Sequence, residues 1–305
     1  MTDPIKLIGN VASPYTRKMV AYLRYKRIPY EVIWGQPEDI LISMNIEAPK
    51  PILLPVFILD RDGQATAVTD STPLIREFEA KYPERSVLPK DPALSFINFV
   101  LEDFGDEWCT KFMFHYRWHF DEDADNAGTI LPLGINSNLT DDELAFFKEH
   151  FAKRQIDRLW VVGSNNVTAE FIDNSYKRVL TIFEEHFKKQ PFLLGNFPSS
   201  CDFAVYGQFT QLVGFDPTPR RIAHEISPRT VAWVSTLEDR GGLSYSEENK
   251  SLDSLSDSIH DLLKELSISY IPTMIENHKA INEGEKEWSV AVSYTHLTLP
   301  TRGLG

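Results

Sequence analysis

Cysteine is what this 305-residue chain has least of: only Cys109 and Cys201, far apart and without C-x-x-C spacing. Neither a disulfide framework nor a cysteine-based zinc site fits that pair. Long apolar runs are missing as well. None approaches the roughly 18–20 residues needed to span a bilayer, and the opening MTDPIKLIGN lacks the basic and apolar regions of a secretion signal. A cytoplasmic protein with no membrane partner is expected. Positive charge is also in short supply: 31 Lys plus Arg face 44 Asp plus Glu, a formal net charge of −13. That balance opposes contact with phosphate backbones, so no nucleic-acid partner is expected. The sequons at Asn138 and Asn166 would matter only in a secreted chain, and there is no internal repeat.

What is present is ordinary globular material, 42% hydrophobic, enough for more than one domain. In the first eighty-odd residues element types alternate. IKLIG (5–9) reads as a strand, and residues 14–27 place Tyr15, Met19, Val20 and Leu23 near helical spacing, leaving Arg17, Lys18, Arg24 and Lys26 for the wet side. YEVIW (30–34) is a second strand and 37–45 a short polar helix. After the rigid APKPILLP (48–55) come VFILD (56–60), an Asp-Gly turn in RDGQ (61–64) and ATAVT (65–69), the pattern of a hairpin. STPLIREFEAKYP (71–83) is a helix with a polar cap and a proline stop. The order β-α-β-α-β-β-α predicts a small α/β sheet domain over residues 1–83.

Past a linker at 84–92, strand-like alternation nearly disappears. ALSFINFVLEDFGDEWCTKFMFHYRWHF (93–120) is one long helical pattern, and a polar, Gly- and Asp-rich break follows to about 140. Helical segments recur near 141–160, 168–189, 200–214, 228–240 and 252–282, predicting an all-α domain over 93–285. VSYTHLTLPTRGLG (292–305) has the look of a non-native, cloning- or adapter-derived tail and is set aside from the fold. On that reading the natural C-terminus is missing; a genomic reading frame encoding the same tail would refute it.

Few patterns carry chemistry. His115 and His119 share a helix face as zinc ligands do, but with no HExxH and no third ligand they are expected to be buried or interfacial, and no metal site is predicted. The run DEDAD (121–125) lacks the glycine and terminal glutamate of a calcium loop and reads as a solvated loop. Ser13 and Pro14 suit a helix N-cap and the first helical position. The same geometry presents N–H groups and a positive dipole end to any ligand nearby. Asp70 and Ser71 precede another helix, and either would cap it. With no cysteine at 13 or 16, the first turn forms no mixed disulfide through its own side chain.

Three stretches, in order, carry a resemblance: the Ser-Pro turn at 13–14, LLPVF at 53–57 followed by TDS at 69–71, and PFLLGNFPSSCDFAVYGQF at 191–209. The last is the most specific, a Leu-Gly segment followed by a Ser-x-x-Asp helix opening. Over about residues 4–240 the chain resembles the glutathione S-transferase superfamily, particularly its serine-type and bacterial members. The implied fold is an α/β thioredoxin-like N-terminal domain followed by an all-α helical C-terminal domain. The implied activity is activation of the thiolate of glutathione, the co-substrate, for attack on a hydrophobic electrophilic small molecule, with a homodimer as the assembly. The resemblance puts the thiol at Ser13, with Tyr15 as the rival hydroxyl and Arg17 as a nearby charge. It puts the cysteinyl part against Leu54 before a cis Pro55, the γ-glutamyl carboxylate at Ser71, and the amino group at Asp70, which is shorter than the family's usual Glu or Gln. Phe112, Tyr116 and Trp118 are candidates for an electrophile pocket, with ordinary core aromatics as the alternative. Ser199 and Asp202 read as a structural cap. Two other activities stay open: a noncatalytic interaction module that kept the fold, and a glutathione-dependent reductase or peroxidase.

Overall fold

A computed structural model describes residues 3–246, 251–292 and 295–301. Strands β1 (Ile5–Gly9) and β2 (Tyr30–Trp34) pair in parallel and are joined by helix α1 (Pro14–Lys26), the crossover that a parallel pair requires. β3 (Val56–Arg61) runs antiparallel to β1, and β4 (Gln64–Val68) antiparallel to β3, so the sheet order is β2-β1-β3-β4. The β3–β4 hairpin turns on Asp62 and Gly63, both at positive φ. Leu7 and Phe57, paired across β1 and β3, pack on one face with Met19 of α1 and Phe78 of α3 (Ser71–Lys81). On the other face Ile8 and Val56 meet Leu41 of α2 (Pro37–Ser43). The element order is the expected one throughout this domain.

From Pro92 to Glu283 the described elements are helical: α4 (Pro92–Asp103), a π-helical turn (Phe104–Trp108), α5 (Cys109–His119), α6 (Asp121–Ile135), α7 (Asp141–Ile156), α8 (Ala169–His186), α9 (Ser200–Gly214), α10 (Pro217–Ile226), α11 (Pro228–Leu237), α12 (Asp257–Ile268) and α13 (Tyr270–Glu283). Every residue of α9 from Ser200 to Val213 is buried, as expected for a central core helix. It belongs to both domains. Phe203 meets Tyr22 and Tyr25 of α1 at ring distances of 5.9 and 5.8 Å, making one continuous core. Gly207 is what lets α1 come so close: a Cβ there would lie 2.4 Å from the Pro14 carbonyl oxygen. Gly105 does the same for the π turn, where a Cβ would lie 2.8 Å from the Val205 nitrogen.

The long helical pattern over 93–120 is continuous from Pro92 to His119, with the π turn inserted between α4 and α5. Several expectations are corrected. The polar break before 140 is largely α6, despite Gly128 and Pro132. Asp121, Glu122 and Asp123 occupy its first turn, where carboxylates favour the helix dipole, so DEDAD is a helix start and not a loop. Asp123 is buried and its Oδ1 accepts from the Thr218 N–H at 2.8 Å. Helix α10 was not anticipated, and 252–282 divides at Ser269 into α12 and α13. Residues 295–300, within the 292–305 stretch read as tail, form β6 (Thr295–Pro300), antiparallel to β5 (Glu287–Val292), with Leu297 and Leu299 buried, which leaves the origin of that stretch untouched; 293–294 and 302–305 lie outside the described residues.

Candidate active site

The turn from β1 into α1 is built by local hydrogen bonds. Asn10 Oδ1 accepts from the Ala12 N–H at 2.9 Å, and Ser13, at extended φ and ψ, accepts from the Thr16 N–H through its Oγ at 3.2 Å. Pro14 follows at the first helical position, where its missing N–H costs nothing. The Ser13 hydroxyl is thus an acceptor within its own turn, and its proton remains to be donated elsewhere.

Ser13 and Leu54 share the wall of a cavity of about 580 Å³ between the sheet domain and helices α5–α7. The helical side is apolar and aromatic: Met113, Phe114 and Trp118 from α5, Leu131 and Ile135 from α6, Phe147 and Phe151 from α7. Gln36 and Asp39 stand at the α2 edge. Size and lining fit a small-molecule site with few polar groups. Leu54 precedes a cis peptide to Pro55, and the β1–β3 ladder runs from Val56, leaving the Leu54 backbone outside it.

Arg117, also on the cavity wall, is buried and locked. Its Nε and Nη2 donate to Asp216 at 2.9 and 3.0 Å, Nη2 donates to Gln211 at 2.9 Å, and Nη1 reaches the Ala12 carbonyl at 3.4 Å. Burial pushes Asp216 up to about 6 while Arg117 pulls it down. The pair leaves little net charge at the wall, and it ties the residue before Ser13 to α5.

The other candidates divide. Trp118 lines the cavity, 5.8 Å from the Phe151 ring. Phe112 and Tyr116 do not: both are fully buried in the core, Phe112 against Trp108 and Tyr176, and Tyr116 with its hydroxyl on Asp173 at 2.5 Å. Tyr15 is not a free hydroxyl for the cavity, because it donates to the Asp106 carbonyl at 2.8 Å and lies 3.0 Å from Thr110 Oγ1. Arg17 pairs with Glu238 at 3.6 Å and is not among the lining residues. Asp70 and Ser71 lie at the start of α3, also outside this lining. Asp70 has φ 79, rare for a residue with a side chain, and accepts from the Thr72 N–H at 3.3 Å. His115 and His119 stack on each other at 4.6 Å with His115 Nδ1 on Ser164, and among the described residues no three His, Cys, Asp or Glu gather as metal ligands would.

Lys18 and Lys26, assigned to the wet side, are buried. Lys26 pairs with Glu79 at 2.8 Å. Lys18 Nζ is placed by the π turn and by α3: it donates to Asp106 Oδ2 at 2.6 Å, Ser71 Oγ at 3.0 Å, Thr72 Oγ1 at 3.2 Å and Glu102 Oε1 at 3.4 Å. Burial pulls its pKa down, but the two carboxylates outweigh burial and hold it above the ordinary lysine value. The missed signal was that Lys18 falls in register with the buried Tyr22 and Tyr25. For Arg117 it was a lone cation inside FMFHYRWHF.

Among the described residues no helix is long and apolar enough to cross a membrane. Two family profiles match the chain: "Glutathione S-transferase, N-terminal domain" over residues 7–86 and "Glutathione S-transferase, C-terminal domain" over 173–240. No curated protein matches it. Among solved structures it is similar to a glutathione S-transferase from Rhodospirillum rubrum F11 (18% identity, 85% of this chain and 99% of that one, TM-score 0.47). It is also similar to FzlA from C. crescentus (15%, 83% and 98%, TM-score 0.46). A third is a glutathione transferase family member from Pseudomonas fluorescens pf-5 with two glutathione bound (15%, 78% and 91%, TM-score 0.48). With a four-stranded α/β domain preceding a mainly helical one, and both domain profiles matched in that order, the chain belongs to the glutathione S-transferase superfamily.

Proposed function

We propose that the protein is a glutathione-conjugating enzyme, binding glutathione across the sheet domain and an apolar electrophile in the cavity under α5–α7. The observation that carries this is the Ser13 hydroxyl, which accepts from Thr16, keeps its proton, and stands at a helix N-terminus on the wall of an aromatic cavity. A thiolate there receives the serine proton in a hydrogen bond and the positive end of the α1 dipole. Both lower a thiol pKa from about 8.5 toward neutrality. The cysteinyl backbone lies along Leu54, whose own backbone is outside the β1–β3 ladder. The γ-glutamyl carboxylate accepts from Ser71 and the first N–H groups of α3, and Asp70, exposed beside them, takes the amino group. Arg17, one turn into α1 and paired with Glu238 through Nη2 at 3.6 Å, adds a positive charge near the start of that helix.

The chemistry is nucleophile activation with proximity. The sulfur attacks the electrophilic carbon, a C–S bond forms, and with an aryl halide the halide leaves with the bonding pair. The neutralised Arg117 and the aromatic side of the cavity favour an uncharged, flat electrophile. Purified protein is expected to be retained on immobilised glutathione and to conjugate a generic aryl halide, with Ser13→Ala losing most of the turnover. No retention and no turnover would sink the reading. A panel of peroxides and mixed disulfides belongs in the same assay, because the same thiolate would also serve a reductase or peroxidase.

A further inference from the structure

We propose that Lys18 is a positioning residue for the γ-glutamyl end of glutathione, acting through the Ser71 hydroxyl; this rests on the glutathione reading above. Lys18 is 1% exposed, so it does not touch a ligand. Its ammonium has three protons and four acceptors within 3.4 Å, from three different elements: Ser71 and Thr72 on α3, Glu102 on α4 and Asp106 in the π turn. An ion pair whose purpose is only to join the two domains has no need of the hydroxyls. Here both of the first two side chains of α3 are engaged by the same cation.

The consequence for Ser71 follows from donor and acceptor roles. Its Oγ accepts from a cation, which fixes its rotamer and leaves the hydroxyl proton to point away from Lys18. Accepting a charged hydrogen bond also polarises the O–H and makes it a stronger donor to a carboxylate. The cluster itself is balanced. Arg76 Nη2 donates to the other Glu102 oxygen at 2.5 Å and Ser200 Oγ to the same oxygen at 2.6 Å, so Lys18 and Arg76 face Glu102 and Asp106. For a ligand carboxylate arriving at Ser71, these two cations offset the charge of Glu102 and Asp106.

The test compares glutathione with cysteinylglycine, which lacks the γ-glutamyl group, by calorimetric titration of four proteins: wild type, Ser71→Ala, Lys18→Met/Asp106→Leu, and the combination of all three changes. Removing Lys18 and Asp106 together avoids leaving a lone buried charge, and thermal melting verifies folding. If that variant does not fold, Lys18→Met/Asp106→Asn, which also removes both charges, carries the same comparison. Loss of one charge-assisted bond predicts glutathione affinity down about tenfold in the Lys18 variant, with cysteinylglycine unchanged and no further loss when Ser71→Ala is added. Equal weakening of both thiols, or losses that multiply with Ser71→Ala, overturns the assignment. Unchanged glutathione affinity in the folded variant overturns it while leaving the functional reading intact. A wild type that binds no glutathione overturns both.

Discussion

Helices α1 and α3 of the sheet domain and α9 of the helical domain all open on a serine, and the three serines are satisfied differently. Ser199 belongs to a reciprocal cap: it accepts from the Asp202 N–H of α9, and the Asp202 carboxylate takes the Ser199 N–H at 2.8 Å and also the Leu193 N–H at 2.8 Å. Ser13 is half-closed, accepting from Thr16 with its proton left over at a cavity wall. Ser71 is engaged from outside its own helix, by Lys18. At α9 a carboxylate in the first turn closes the cap by taking backbone N–H groups; α1 has no acidic residue in its first turn, so its open N–H end and the Ser13 hydroxyl face the aromatic cavity.

That comparison is sharpened first where the expected effect is largest. Asp202→Ala strands two buried N–H groups, so unfolding free energy should fall by about 3 kcal/mol in denaturant titration. The turnover of the folded fraction should not change. Ser13→Ala should show the reverse: about 10²-fold lower kcat/KM for conjugation against only about 1 kcal/mol of stability, with the pH of half-maximal rate moving up toward the free thiol. Equal stability losses in the two variants would break the distinction.

Serine hydroxyls do not titrate in the working range, so acid should act elsewhere. His115 is buried beside Ser164, and burial first, then His119, hold it down to about 3. Neutral when folded, it takes a proton when unfolded below about pH 6.5, so stability falls as pH drops from 6.5 toward 3, by about 2 kcal/mol at pH 5. His115→Gln should flatten that slope, read by melting at successive pH values. The smallest effect belongs to Ser71→Ala, which should raise the KM for glutathione about tenfold and leave kcat alone. A fall in kcat instead would place Ser71 in the chemistry, and the contrast with Ser13 would disappear.

How much was readable beforehand differs by region for the same reason. The Ser-Pro turn, the Asp-Gly hairpin and the Ser-x-x-Asp cap are contacts among residues two to four apart, and every element of the sheet domain follows from such local signals. Lys18 was misassigned because its fate is settled by Asp106, 88 positions away, reached only through the π turn. Phe112, Tyr116 and Trp118 sit within seven residues on one aromatic helix, and nothing in their local pattern says which of them faces the cavity. The stripe rotates, and α8 buries the first two while α7 leaves Trp118 at the wall. Helix α6 escaped notice because Gly128 and Pro132 argue against it locally, whereas packing on α7 supports it: a Cβ at Gly128 would already lie 3.0 Å from Lys148.

The sequence by itself therefore determined the order of elements in the first domain, the helical character of the second, and the serine at the start of α1. Caps, turns and hydrophobic periodicity act over a few residues, and short-range physics is written in short-range patterns. Only the tertiary structure decided that the Ser13 proton opens onto a cavity, that Tyr15 is already committed to Asp106, and that a lysine is buried behind Ser71. The Lys18 charge is held because Glu102 and Asp106 of the helical domain arrive to compensate it, and that is a property of the assembled core.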